Sequence, residues 1–95
     1  MQNIMLKDFG VILTGRPYGV QIYSELEKKY GNEKPVEFDF TGVASLGSSF
    51  GEEVIVPFAK RQNNKITVKA ANSPVRSCIQ LIAKDFNLSV DFQEV

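Results

Sequence analysis

The chain has 95 residues, of which 43% are hydrophobic, a length and composition that suit one small domain with a single core. Eleven basic and eleven acidic side chains cancel, so a neutral chain gives no electrostatic argument for a nucleic-acid or membrane-surface partner. We therefore expect a single domain spanning residues 1–95, with no nucleic acid and no membrane among its partners.

The residue types that most often carry catalysis are scarce. Histidine is absent and cysteine occurs once, as Cys78, so neither a histidine-based triad nor an internal disulfide can form. Asp39, Glu52 and Glu53 offer few ligands for a magnesium ion, and two adjacent helix positions diverge by about 100°. We therefore expect a protein that is not an enzyme and that uses no metal and no other cofactor.

Targeting signals are also missing from the pattern. The first residues lack the basic flank and long apolar core of a signal peptide, and no apolar run approaches the roughly 20 residues of a membrane span. The expected location is the cytoplasm.

The first third of the chain predicts a strand, an apolar segment and a helix. Residues 3–6 fit a short strand, whereas the apolar residues 10–13 fit either a second strand or half of a hairpin. Residues 14–17 predict a turn, because glycine and proline interrupt regular structure. The spacing of apolar residues then predicts a helix from about residue 19 to 30, ended by Gly31-Asn32 as its cap.

The middle of the chain predicts a buried strand followed by a second helix. Val36, Phe38 and Phe40 alternate with acidic residues, which is the period of a strand whose apolar side faces the core. Ser49 and Glu52 match the S-x-x-E capping box, in which each side chain satisfies a backbone donor at the helix start. The second helix is therefore predicted to open at Ser49.

The last third repeats the alternation. Pro57 is predicted to kink or shorten the second helix, because proline removes a backbone hydrogen bond. A strand at 66–70, a third helix opened by Ser73-Pro74 and ended near Asn87, and a strand at 88–92 follow. The order favours a single α/β domain, a mixed four- to five-stranded sheet with about three helices packed on it.

The most informative segment is Gly47-Ser48-Ser49-Phe50-Gly51-Glu52-Glu53, which lies a short loop beyond the buried strand. Its serines can simply cap the helix and shape the loop, or they can face a phosphate donor or a partner protein. Arg16 is a further candidate contact, with solvation as the alternative. The G-x-x-x-x-G spacing of residues 10–15 lacks the lysine and hydroxyl of a phosphate-binding loop, and we discount it.

Three segments together resemble the STAS domain of bacterial anti-sigma factor antagonists and sulfate transporter tails. They are residues 36–43, residues 47–50, and residues 66–76. A closer resemblance is to the small STAS-like domains of unknown function, through Gly15-Arg16 and the segment 47–53. The resemblance covers about residues 15–86 and implies a STAS-like fold.

The resemblance also implies a role for the serine pair. In the antagonists a serine at this helix start is phosphorylated by a partner kinase of the histidine-kinase-like (GHKL) ATPase type. Carried over, that serine is Ser49, with Ser48 just before it. Gly47 stands where the antagonists commonly have an aspartate, and the bulky Phe50 stands where they have a small residue.

These observations predict a non-enzymatic regulatory module that binds a protein partner, such as a GHKL ATPase or a transcription regulator, through residues 47–53. Ser49 would be the phosphoacceptor or a hydrogen-bonding contact. Two further classes stay open. One is a domain that binds a nucleotide or small ligand at the same helix start. The other is a structural or oligomerising unit, including a homodimer, formed through the terminal strands at 3–6 or 88–95.

Overall fold

The computed structural model describes residues 1–31 and 35–94. Over these ranges the chain forms six strands and three α-helices, with one short 3-10 helix at Leu6–Phe9. The strands and helices in chain order are β1 Gln2–Met5, β2 Ile12–Leu13, α1 Arg16–Tyr30, β3 Val36–Asp39, β4 Ser45–Leu46, α2 Ser48–Arg61, β5 Lys65–Lys69, α3 Ser73–Phe86 and β6 Ser89–Gln93.

The strands form two sheets. Four of them pair in the order β1-β3-β5-β6, and β2 pairs with β4 in a separate two-stranded sheet. Every pairing among the described strands is parallel. The predicted α/β fold, a four- to five-stranded sheet with about three helices packed on it, is confirmed, although the described strands pair only in parallel where a mixed sheet was expected. The open question about residues 10–13 is also answered, because Ile12–Leu13 is a strand of the smaller sheet.

All three helices cover the same face of the larger sheet. Each crossover steps in one direction from β1 to β6, and right-handed crossovers then put every helix on one side. Ile4, Phe38 and Val68 lie in one row across this covered face and are buried. The opposite face is polar, and there Lys69 and Glu37 form an ion pair at 3.1 Å.

The core is built around phenylalanine. The expected inward-facing residues of the central strand are all buried, and Phe40, just beyond β3, joins Phe38 and Val36 there. Phe58 of α2 packs edge-on against Phe38, with ring centroids 5.9 Å apart. Aromatic pairs in this geometry add stability beyond the area that they bury. The α2 helix is thereby fixed across the centre of the sheet.

The starts of α1 and α3 differ from the prediction, and the start of α2 is described with the candidate site below. The α1 helix begins at Arg16 rather than near Gly19, because Pro17 occupies its first turn, where a missing amide costs nothing. The α3 helix is capped by Asn72, whose side chain accepts a hydrogen bond from the Val75 amide at 2.9 Å. The predicted opening residue, Ser73, is already the first residue of that helix.

Helix ends were predicted more closely. Asn87 ends α3 in the left-handed conformation, as expected for a C-terminal cap. Gly31 caps α1, although it does so with right-handed backbone angles, while Asn32 lies outside the described residues. Pro57 does not shorten its helix, since α2 continues through it to Arg61.

Candidate functional site

The starts of α1 and α2 lie side by side. The parallel strands β2 and β4 each lead into a helix within a few residues, and the Gly47 amide donates to the Leu13 carbonyl at 2.8 Å. A Cβ added at Gly47 would contact Thr14, which confirms how closely the two connections pass. Both helices therefore direct their positive N-terminal ends to the same part of the surface.

The predicted capping box does not form. The α2 helix begins at Ser48, with Gly47 at the N-cap position and no side-chain capping bond. The first helical bond runs from the Gly51 amide to the Gly47 carbonyl at 2.9 Å, because the bond from Gly47 to β2 fixes the chain there. Ser49 is consequently the second residue of the helix, and its hydroxyl is not a cap.

Arg16 links the two helix starts. Its guanidinium donates to Glu53, to Glu52 at 3.1 Å and, in a longer contact of 3.4 Å, to the Ser49 hydroxyl. Glu52 and Glu53 diverge around the helix, but the planar guanidinium has two terminal nitrogens and reaches one carboxylate with each. Hydrogen bonds to Glu53 and then Glu52 raise the pKa of Arg16 above its usual high value.

A glycine on α1 allows this approach. A Cβ at Gly19 would lie 3.0 Å from both the Cα and the carbonyl oxygen of Phe50, and 3.0 Å from the Cβ of Glu53. These contacts are mostly with backbone, which cannot move aside as a side chain can. Gly19 therefore lets the α1 and α2 backbones come close enough for Arg16 to reach the first turns of α2.

The residues singled out in the sequence divide between surface and core. Arg16 and Ser48 are exposed, while the side chains of Ser49, Glu52 and Glu53 are partly exposed; Gly47 is the partly exposed N-cap. Phe50 is completely buried and its ring lies 5.5 Å from that of Tyr18. We call the group of Arg16, Ser48, Ser49, Glu52 and Glu53 the Ser49 surface.

Exposed apolar side chains occur on both helices that neighbour α2. Val20 follows Arg16 by one turn of α1 and is 51% exposed. On the other side, Cys78 of α3 is half-buried near Glu52, and burial, followed by the Glu52 charge, raises the pKa of its thiol. Leu81 lies one turn further along α3 and is 61% exposed. Val20 and Leu81 are thus exposed apolar side chains in the second turn of α1 and the third turn of α3.

Asn72 is a structural residue that the sequence analysis missed. While its oxygen caps α3, its amide nitrogen donates to the carbonyls of Val43 at 3.2 Å and Ala44 at 3.1 Å. It thereby ties the start of α3 to the segment that leads into β4. The signal was present as asparagine directly before Ser73-Pro74, since asparagine is a preferred N-cap residue.

Asp39 holds the other end of the segment that connects β3 to β4. Its carboxylate accepts hydrogen bonds from the Thr41 amide at 2.9 Å and from the Thr41 hydroxyl at 2.6 Å. Burial acts to raise the pKa of Asp39, but the Thr41 donors, helped by Asn3 and by the charge of Lys69, leave that pKa below its usual value. Asp39 is therefore an ionised turn residue and stands apart from the Ser49 surface.

Among the described residues, the Ser49 surface contains no metal site, and a cavity of the fold lies elsewhere. Within residues 1–31 and 35–94, no three metal-binding side chains come together. A cavity of about 610 Å³ lies at the amino ends of β5 and β6, between Gln62, Ile66 and Val90. The Ser49 surface lies at the opposite, carboxyl end of the strands, where open parallel sheets usually bind their ligands. Every helix in the described ranges is too short or too polar to cross a lipid bilayer.

Comparisons with known proteins identify the family. Neither the curated proteins nor the solved structures contain a match to this chain. The family model described as a STAS-like domain of unknown function matches residues 18–76, which is more than half of the chain and runs from α1 through α2 into α3, with Arg16 just outside the match. The chain therefore belongs to the family of STAS-like domains of unknown function, as its sequence segments had predicted.

Proposed function

We propose that this STAS-like domain is a non-enzymatic, cytoplasmic regulatory module that binds a protein partner through the Ser49 surface. Its partner is a histidine-kinase-like ATPase or a transcription regulator. One observation carries the proposal. Ser49 lies in the first turn of α2, where its hydroxyl makes no cap. The side chain is partly exposed and lies beside Arg16.

A phosphate on Ser49 would change the charges of the surface. A helix N-terminus and an adjacent arginine both favour added negative charge, so Ser49 is a suitable acceptor. In the unmodified domain Arg16 is held by Glu52 and Glu53. A phosphate would compete for Arg16 and repel both carboxylates, which alters the surface without changing the core.

The composition of the surface suits a protein partner. Exposed Val20 on α1 and Leu81 on α3 offer apolar contacts on the two helices that neighbour α2, and Arg16, Glu52 and Glu53 offer a charged pattern that a partner can match. The ATPase class rests on the resemblance to the antagonists, whose phosphorylated serine corresponds to Ser49.

A second candidate function has one supporting observation. The adjacent starts of α1 and α2 both lack side-chain caps, which leaves backbone amides for a phosphate-bearing ligand. Pro17 removes one of these amides, and the carboxylates of Glu52 and Glu53 repel an anion at the same place. We therefore rank nucleotide or small-ligand binding below protein binding.

The test compares Ser49→Ala and Ser49→Asp with the wild type. Because Ser49 is not a cap and alanine favours helices, Ser49→Ala should unfold at about the wild-type temperature. Ser89→Ala, an exposed serine on β6, is the matched control. Capture from native lysate identifies the partner, intact mass reports any phosphate, and titration with the purified partner gives the affinity.

We expect wild type and Ser89→Ala to bind one ATPase or regulator equally, and both Ser49 variants to change that affinity at least about tenfold. Equal affinity for a folded Ser49→Ala protein would overturn the proposal. Melting temperatures measured with and without ATP, GTP and inorganic phosphate form a separate arm. A ligand-dependent rise would favour the second candidate instead.

A further inference from the structure

The outer edge of β6 presents unpaired backbone groups. Its pairing with β5 is fixed at both ends, by the Ser89 amide donating to Asn64 and by the Gln93 carbonyl accepting from Ala70. In a parallel pair, alternate residues of a strand bond to the same neighbour. The amide and carbonyl groups of Val90 and Phe92 therefore point away from β5, and no described strand lies beyond them.

This edge has little of the usual protection against pairing, since its one charged side chain is Asp91. Soluble proteins commonly block an exposed edge with lysine, proline, a bulge or a very short strand. The β6 strand runs five residues in continuous register with β5 and contains neither lysine nor proline. At the opposite edge of the sheet, β1 is shorter and passes directly into the 3-10 helix.

The side chains of β6 alternate between its two faces. Leu88, Val90 and Phe92 turn toward the helices but stay only half-buried, and the intervening residues are exposed. Arg76 stacks on the Phe92 ring, with its guanidinium carbon 4.2 Å from the ring centroid, and the rest of this apolar side has surface that the chain itself does not cover. A second strand with the same alternation would extend that apolar side across the edge.

We propose that β6 pairs antiparallel with β6 of a second copy of this chain, about a two-fold axis at Val90. In this register Val90 lies opposite Val90 of the other copy, and Leu88 lies opposite Phe92. The outward amides and carbonyls of the two Val90 residues exchange hydrogen bonds. The two four-stranded sheets then form one continuous sheet of eight strands, with the helices of both copies on the same side.

The charges select this register among its neighbours. A two-fold axis at Asp91 would place two carboxylates opposite each other, which destabilises a strand pair. An axis at Phe92 would place Glu94 opposite Val90, on the apolar side. With the axis at Val90, Asp91 lies opposite Ser89 of the other copy. Lys65 of β5 is exposed and pairs with Ser89 of its own copy. It therefore brings a positive charge toward Asp91 of the other copy.

One short strand pair buries little surface, so we expect a weak dimer whose population rises with concentration. The inference is independent of the proposed partner binding, because β6 and the Ser49 surface lie on different elements. Sedimentation equilibrium from about 10 µM to about 1 mM should show the mass rising from the 10.6 kDa monomer toward twice that value. A constant monomer mass over this range would overturn the proposal.

Two variants at Val90 separate the backbone bond from the side chain. Val90→Pro removes an amide that faces outward and leaves the bonds to β5 in place, a position that sheets tolerate. Val90→Ala shortens the side chain and keeps the amide. We expect Val90→Pro to stay monomeric at about 1 mM and Val90→Ala to retain concentration-dependent mass. Equal dimerisation of two folded variants would overturn the proposal.

Cysteine cross-linking tests the register and does not depend on the proline variant folding. In a Cys78→Ala background, Val90→Cys places two thiols in a directly opposed pair, whose Cα separation of about 5.5 Å suits a disulfide. Asp91→Cys and Phe92→Cys are the matched controls, because their thiols lie too far apart in this register. Oxidation should yield a covalent dimer for Val90→Cys alone. Cross-linking only at the other two positions would overturn the Val90 register.

Discussion

Asn72 joins two parts of the fold through one side chain. Its oxygen caps α3, and its nitrogen holds the carbonyls of Val43 and Ala44 in the segment before β4. We expect Asn72→Ala to lower the free energy of unfolding by about 1 kcal/mol, the usual cost of a lost cap. Urea unfolding of the variant and the wild type measures the difference.

Two further variants divide the effect of Asn72. Asn72→Asp keeps an oxygen for the cap but turns a negative charge toward the two carbonyls, so its stability should lie between those of the wild type and Asn72→Ala. Ser73→Ala should change stability little, because Ser73 is the first helical residue and makes no cap. A larger loss for Ser73→Ala than for Asn72→Ala would contradict this assignment.

Ser49 shows why a local motif can fail. The S-x-x-E spacing with Glu52 is correct for a capping box, but capping requires that the helix begin at that serine. The bond between Gly47 and β2 starts the helix earlier and moves Ser49 into its first turn. That bond joins Gly47 to Leu13, which lies more than thirty residues earlier in the chain, and it depends on the pairing of β2 with β4. The sequence around Ser49 contains no sign of it.

The contact between α1 and α2 depends on Gly19. Alanine usually stabilises a helix by about 1 kcal/mol relative to glycine. At this position, however, the added Cβ would press on the backbone of Phe50, and such overpacking costs about 1–3 kcal/mol. We therefore expect Gly19→Ala to lower the free energy of unfolding and the melting temperature. Differential scanning calorimetry measures both.

Ser24 supplies the control for Gly19. It is exposed on the same helix, where alanine gains helix propensity without meeting a neighbour. Ser24→Ala should therefore raise the melting temperature slightly. If Gly19→Ala were as stable as Ser24→Ala, the close approach of the two helices would not be a constraint. A disrupted approach should also move Arg16 away from Glu52 and Glu53.

The small β2–β4 sheet marks the limit of pattern-based prediction at the level of elements. A strand is recognised by alternation over several residues, and each of these strands has two. The longer elements were found because their apolar spacing persists, as in the alternation of Val36 and Phe38 or the stripe along α3. The candidate site was predicted least well. Arg16 reaches it from the first residue of α1, whereas the sequence pattern predicted that this helix begins near Gly19.

The α/β architecture follows from the order of the elements along the chain. Which face of the sheet the helices cover, however, follows only from the order of the strands within the sheet. Alternating strands and helices indicate an α/β sheet, and the family match agrees with it. The order β1-β3-β5-β6 then places every helix on one face. Each edge strand is consequently paired on one side, while β3 and β5 are paired on both.

This arrangement predicts a pattern of amide hydrogen exchange across the whole sheet. In β3 and β5, successive amides alternate between two neighbouring strands, so all should exchange slowly. In the edge strand β6, the amides of Ser89 and Asp91 point inward and should be slow, whereas those of Val90 and Phe92 should exchange quickly in the monomer. Exchange measured by NMR in dilute solution resolves each of these residues.

The β1 edge of the sheet provides an independent test of the strand order. The Gln2 amide donates to Pro35 at 3.0 Å, so Gln2 and Ile4 face β3 while Asn3 and Met5 face outward. Alternating protection should therefore appear in β1 as well as in β6. Uniform protection along both edges would contradict the strand order. Raising the protein concentration should then slow exchange at Val90 but leave Asn3 unchanged, because only the β6 edge is expected to pair with a second copy.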